Sequence, residues 1–121
     1  MNEKFESSTA PEPVGLYPHS RRVGNLLFLS GVGPRKRGTK EIPGVVLDGD
    51  GNVESYDIES QCRSVFENVK TIVTESGSSW KQIVDVTVFL TNMECAEVRN
   101  VTLLVTKLCP NVPFWSDLRE R

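Results

Sequence analysis

His19 is the only histidine in the chain. Imidazole is the side chain whose charge ordinarily changes near neutral pH, so His19 is the first residue to weigh as an acid or base, although one residue alone does not make a catalytic site. Basic residues gather around it: residues 1–40 hold seven basic side chains against three acidic ones, and the remainder holds seven against thirteen. Arg21, Arg22, Arg35, Lys36, Arg37 and Lys40 make the front of the chain locally positive. Such a field attracts an anionic small molecule, although a solvated loop surface is the plainer reading. Cys62, Cys95 and Cys109 form no CxxC pair and leave one thiol unmatched, which indicates neither a disulfide framework nor a zinc knuckle. They read as reduced and mostly structural, and no metal site is expected.

The elements that must carry these residues follow from the apolar pattern. Residues 1–13 are polar with Pro11 and Pro13, which suggests a loose, flexible arm entering a first strand over residues 14–20. Leu26, Leu27, Phe28 and Leu29 form an unbroken apolar run between Gly24-Asn25 and Ser30-Gly31, the pattern of a central strand covered on both faces. Residues 31–55 are rich in glycine, proline and charge, with two successive Asp-Gly signals at 48–51, and read as a long excursion serving binding or assembly. Val45, Val46 and Leu47 suit a short hairpin arm before that turn. Ile58, Cys62, Val65, Phe66, Val69, Ile72 and Val73 make one helical stripe, predicting a helix over 58–76 that Asp57 caps and Gly77 ends.

Alternation of Val84, Val86, Val88 and Leu90 with polar residues predicts a strand over 83–91. Cys95, Val98, Val101, Val105 and Leu108 keep near-helical spacing through a β-branched stretch, so a helix is only slightly favoured before Pro110 and Pro113. The tail at 115–121 reads as too short and charged for another core strand. Strand, strand, helix, strand predicts an α+β layer with few strong strands for a stable sheet.

With 121 residues, 38% of them hydrophobic, the chain is expected to form one domain of ordinary makeup. A core of that size builds deep pockets poorly from one copy, which oligomers solve. No stretch approaches the roughly 18 apolar residues of a membrane span and no hydrophobic signal region opens the chain, so no membrane partner and a cytoplasmic location are expected. The net charge of −2, with no aromatic residues between the basic ones, gives nucleic-acid binding little support.

The runs Ala10-Pro11, Gly15-Leu16-Tyr17-Pro18-His19 and Val23-Gly24-Asn25-Leu26-Leu27-Phe28-Leu29-Ser30-Gly31 together resemble the N-terminal signature of the imine and enamine deaminase (Rid) family. Gln61, Val65, Phe66, Asn68, Val69 and Lys70, then Gly77, then Asp85-Val86-Thr87-Val88-Phe89-Leu90-Thr91-Asn92-Met93 continue the match, which covers residues 8–93. Tyr17-Pro18-His19, Gly31-Val32-Gly33-Pro34-Arg35 and the insert at 42–57 resemble the 2-aminomuconate deaminase branch. This resemblance implies a chorismate-mutase-like α+β protomer, a mixed sheet with two helices on one face, assembled as a homotrimer with sites between neighbouring subunits. It also implies hydrolysis of an anionic enamine or imine without a cofactor, in the breakdown of aromatic amino compounds or amino acids.

On that resemblance Tyr17 and Ser30 are the candidate catalytic residues, and Gly31, Arg35 and Asn100 the candidate substrate-binding ones. His19, just past Tyr17, is better read as structural. The family expects a proline, one residue and then an arginine that clamps the substrate carboxylate in two parallel hydrogen bonds, but Pro113-Phe114-Trp115 places an indole there. The closing strand also has no match in Leu118-Arg119-Glu120-Arg121, so the protomer is expected to lack its last strands. An altered C-terminus after Met93, from a frameshift, splice variant or gene-model error, is favoured over a divergent paralogue. Either way the expected deaminase activity is weak or absent. The alternative is a non-catalytic trimeric binding or regulatory member, which Trp115 favours; ribonuclease-like inhibition of translation gains nothing from the acidic total charge.

Overall fold

Asp57 begins the longest element. Its extended backbone and its carboxylate, which accepts the Glu59 amide at 3.2 Å, start helix α1, whose residues Ile58–Glu75 coincide with the predicted span to within one residue. The Ser76 amide returns to the Ile72 carbonyl and Gly77 takes φ +83°, so the helix stops where a residue without a β-carbon permits it. Cys62, Phe66, Ile72 and Val73 are buried along the predicted stripe, and the Phe66 ring meets Trp80 edge to face at a centroid distance of 5.8 Å.

The computed structural model describes residues 2–110 and 118–120. The chain divides into two compact units, Met1–Trp80 and Lys81–Arg121. In the first, strands β1 (Asn2–Phe5), β2 (Ser20–Val23) and β3 (Leu26–Leu29) form an antiparallel sheet in that order, and α1 touches β3. Strands β4 (Val45–Leu47) and β5 (Val53–Tyr56) make the expected hairpin. Its turn is organised by Asp48, whose carboxylate accepts the Asp50 and Asn52 amides at 2.9 Å each. Gly44 closes the base of this excursion: it has φ +77°, its carbonyl accepts the Asp57 amide at 2.7 Å, and a β-carbon there would lie 2.8 Å from that of Ser60.

Three strand expectations need correction in this unit. Residues 2–5 of the supposed loose arm form β1, because their backbone pairs in register with residues 20–23. Those pairs place the strand expected over 14–20 at 20–23, leaving residues 14–16 without regular structure. The apolar run of β3 lies at a sheet edge rather than at its centre among the described residues, and Leu26 and Phe28 are 52% and 57% exposed, because they share the face of the strand that is left open while Leu27 and Leu29 point to the other.

The second unit, which begins within the 3-10 turn Trp80–Gln82, holds strand β6 (Val88–Leu90), helix α2 (Cys95–Leu108) and strand β7 (Leu118–Glu120). β6 is shorter than the predicted 83–91, and Val84 is 68% exposed: a strand persists only where its amides find a ladder, and among the described residues Val88, Phe89 and Leu90 are the ones that pair, in parallel, with β7. β7 itself corrects the expectation that the charged tail holds no closing strand. α2 tolerates its β-branched residues partly because the Thr102 and Thr106 hydroxyls donate back to the carbonyls of Val98 and Thr102, at 2.7 and 2.8 Å. Val101, Leu104 and Val105 are buried, as is Cys109, whose thiol burial holds above its ordinary pKa and keeps protonated. The two helices and the mixture of antiparallel and parallel pairs give the α+β content expected. Among the described residues, no helix is long and apolar enough to cross a membrane.

Phe66→Ala should cost about 3–5 kcal/mol and Asp57→Ala about 1 kcal/mol in urea denaturation followed by circular dichroism, since the first opens a cavity and the second removes only a cap.

Candidate functional site

The site grows from the face of α1 outward. The Ser64 hydroxyl donates to the Pro34 carbonyl at 2.7 Å, and the Asn68 amide donates to the carbonyls of Gly33 and Arg35 at 2.9 and 3.0 Å. The loop after β3 is thereby fixed, and with it two arginines. Arg35 Nη2 donates to the Glu12 carbonyl at 2.5 Å. Arg37 Nη1 donates to the carbonyls of Ala10 at 2.7 Å and Ser7 at 3.4 Å, while its Nη2 pairs with the Glu12 carboxylate at 3.1 Å. The arm over residues 7–12 is therefore held by backbone acceptors on two guanidinium groups.

His19 completes the hold from the other side. Its buried ring accepts the Ser7 amide at Nδ1, 2.9 Å away, and Nε2 lies 2.8 Å from the Pro11 carbonyl. An amide can only donate and a carbonyl can only accept, so these partners select the neutral ring with its proton on Nε2. Glu75, at the end of α1, accepts the Ser8 amide at 3.1 Å and the Thr9 hydroxyl at 2.5 Å. Hydrogen bonds from Ser7 and Thr9, with help from the Ser8 amide, hold the Glu75 carboxyl below its ordinary value against an opposing effect of burial. Beneath the arm the hydroxyls of Ser20 and Ser76 meet at 2.6 Å in a buried contact.

Between the arm and residues 13–19 lies a hollow of about 310 Å³, lined by Glu6, Glu12, Leu16, Tyr17, His19 and Arg37 among others. Tyr17 is 41% exposed on it, its ring lying where a β-carbon on Gly15 would come within 3.0 Å. Ser30 sits below: its hydroxyl donates to the Pro18 carbonyl at 2.7 Å and its amide to the His19 carbonyl at 3.1 Å, so both groups hold the turn that carries Tyr17. Gly31 is exposed with open space where a side chain would be. Arg35 is half-buried and Asn100 is exposed on α2 in the second unit. Trp115 lies outside the described residues.

The family model described as endoribonuclease L-PSP matches residues 7–116. The chain belongs to this family, the Rid family. The match passes Met93, the expected limit of the resemblance, and spans both units. A RutC family protein of Pyrococcus horikoshii is 33% identical over 93 residues, 77% of this chain and 65% of that protein. A 2-iminobutanoate/2-iminopropanoate deaminase of Dermatophagoides farinae is 30% identical over 84 residues, 69% of this chain and 56% of that protein. The Rid chain thus spans less than two thirds of either relative's length. The crystal structure of a Thermotoga maritima protein, 28% identical, superposes with a TM-score of 0.78 over 100% of this chain and 85% of that one.

Sequence reasoning did not single out Ser7, Glu12 or Glu75, and it treated Arg37 only as part of a charged run. Their roles arise from pairings across 12 to 67 positions of chain, which no local spacing announces. The one available signal was the lone histidine beside a polar arm. Replacing it tests the hold directly: His19→Leu leaves the Ser7 amide without its acceptor and should cost about 1–3 kcal/mol in urea denaturation.

Glu75 makes a pH prediction. A carboxyl held low in the folded chain adds stability that is full above its unfolded value and is lost as pH falls through the folded one. Stability between about pH 6 and about pH 3 should therefore fall less steeply in Glu75→Gln than in the parent chain, read from denaturation midpoints.

Proposed function

We propose that this Rid-family chain hydrolyses small imine or enamine acids, releasing ammonia and leaving a carbonyl compound. The observation that carries this reading is Tyr17, seated on a turn that Ser30 and His19 hold and opening onto a hollow that also contains a guanidinium. An enamine that tautomerises to an imine becomes electrophilic at carbon once its nitrogen is protonated. Water then adds, and the adduct collapses with loss of ammonia. Such a reaction asks mainly for a held acid group and an oriented water.

In this reading the Tyr17 hydroxyl orients water or substrate, Ser30 keeps the turn in place, and Gly31, Arg35 and Asn100 contribute to substrate binding, with no cofactor. The named activity of the mite relative supports the imine class. The branch motifs Tyr17-Pro18-His19 and Gly31-Val32-Gly33-Pro34-Arg35 make 2-aminomuconate the substrate we propose within that class. A homotrimer with sites between subunits is part of the proposal, supported by Leu26 and Phe28 standing exposed on β3. Trp115 at the position of the expected clamping arginine supports a second reading, a binding or regulatory member that retains the site without turnover, and it predicts slow catalysis under the first.

Ammonia release from 2-aminomuconate and from 2-iminobutanoate, followed by a coupled dehydrogenase assay, separates the readings. Slow release above the uncatalysed rate, lowered about tenfold or more by Tyr17→Phe, is expected. Saturable binding with no release would establish the second reading, and sedimentation velocity of the same sample reads the assembly.

A further inference from the structure

We propose that Arg37 is a carboxylate-binding residue of this hollow and that the Glu12 carboxylate, now seated on it, holds the place of a ligand's acid group. The proposal deepens the deaminase reading and rests on it for the choice of probe. The Arg37 guanidinium is divided in use. Nη1 is spent on backbone carbonyls of Ala10 and Ser7, which fix the plane of the group, and Nη2 faces a carboxylate at 3.1 Å. A guanidinium held through one nitrogen and offering the other is pre-organised for an acid group, because little freedom remains to be lost on binding.

Glu12 suits the part of a displaceable occupant. Its backbone is anchored independently, through its carbonyl to Arg35, so its side chain can leave without releasing the arm. The Glu12 and Arg37 side chains are 56% and 36% exposed, and an ion pair that open to water is held weakly. Tyr17 lines the same hollow, so an acid group on Arg37 keeps the rest of a small ligand in the space that Tyr17 borders. The occupant also sets selectivity: a neutral molecule gains nothing by displacing Glu12, whereas a carboxylate replaces like with like.

The test uses the full chain and 2-oxobutanoate, the carbonyl compound left by hydrolysis of 2-iminobutanoate, in isothermal titration calorimetry, with butan-2-one as the control lacking the acid group. Glu12→Gln keeps both Nη1 bonds and frees Nη2, so it should tighten 2-oxobutanoate binding about two- to fivefold. Arg37→Gln should weaken it about tenfold or more, and in the double variant the gain from Glu12→Gln should vanish. Tightening is a result that a damaged fold does not imitate. Unchanged affinity in Glu12→Gln, unchanged affinity in Arg37→Gln, absence of binding by the parent, or equal binding of butan-2-one would each overturn the proposal. Arg37-dependent binding without ammonia release would refute the deaminase reading alone, and ammonia release indifferent to Arg37→Gln would refute this inference alone.

Discussion

One imidazole, accepting at Nδ1 and donating at Nε2, joins the start and the end of a short polar segment to the turn that carries Tyr17. Everything near the hollow depends on that bridge. The segment supplies the carbonyls that orient Arg37 and the carboxylate that occupies it, and it reaches Glu75 at the far end of α1. Without the bridge the Ser7 amide and the Pro11 carbonyl would lose their shared partner, and the hollow one of its lining side chains. The ring works here as a neutral connector, and the sequence preference for a structural role over a catalytic one agrees with that placement.

The elements legible beforehand were those whose causes are local. α1 announced itself by a stripe repeating every three or four residues, by an aspartate where orphan amides need an acceptor and by a glycine where a left-handed residue ends the helix. The Asp48 turn was equally plain, since a carboxylate two and four residues before the amides it accepts is a property of sequence alone. The family, too, could be read from motifs in register.

What was not legible came from partners distant along the chain. β1 exists because residues 20–23 offer it a ladder, and nothing in Asn2–Phe5 itself resembles a core strand. Among the described residues β6 pairs only at Val88, Phe89 and Leu90, whatever the alternation of the preceding valines suggests. At the candidate site Tyr17 and Ser30 were found from motifs, but Arg37 and Glu12 could not be: an ion pair across 25 positions leaves no trace in spacing. Arg35 was named as a ligand-binding cation, and its guanidinium donates to the backbone of the arm.

Gly44 has a wider consequence. It ties the foot of the β4–β5 hairpin to the cap of α1 through a backbone bond and a contact with no room for a methyl group. A loop cinched at its foot isolates its far end, and lengthening a closed loop adds only about 0.6 kcal/mol for each doubling. The tip between β4 and β5 is therefore the natural place to graft a peptide epitope or a fluorophore-bearing insert, since such cargo would hang from a hairpin anchored at its root rather than tug on the helix.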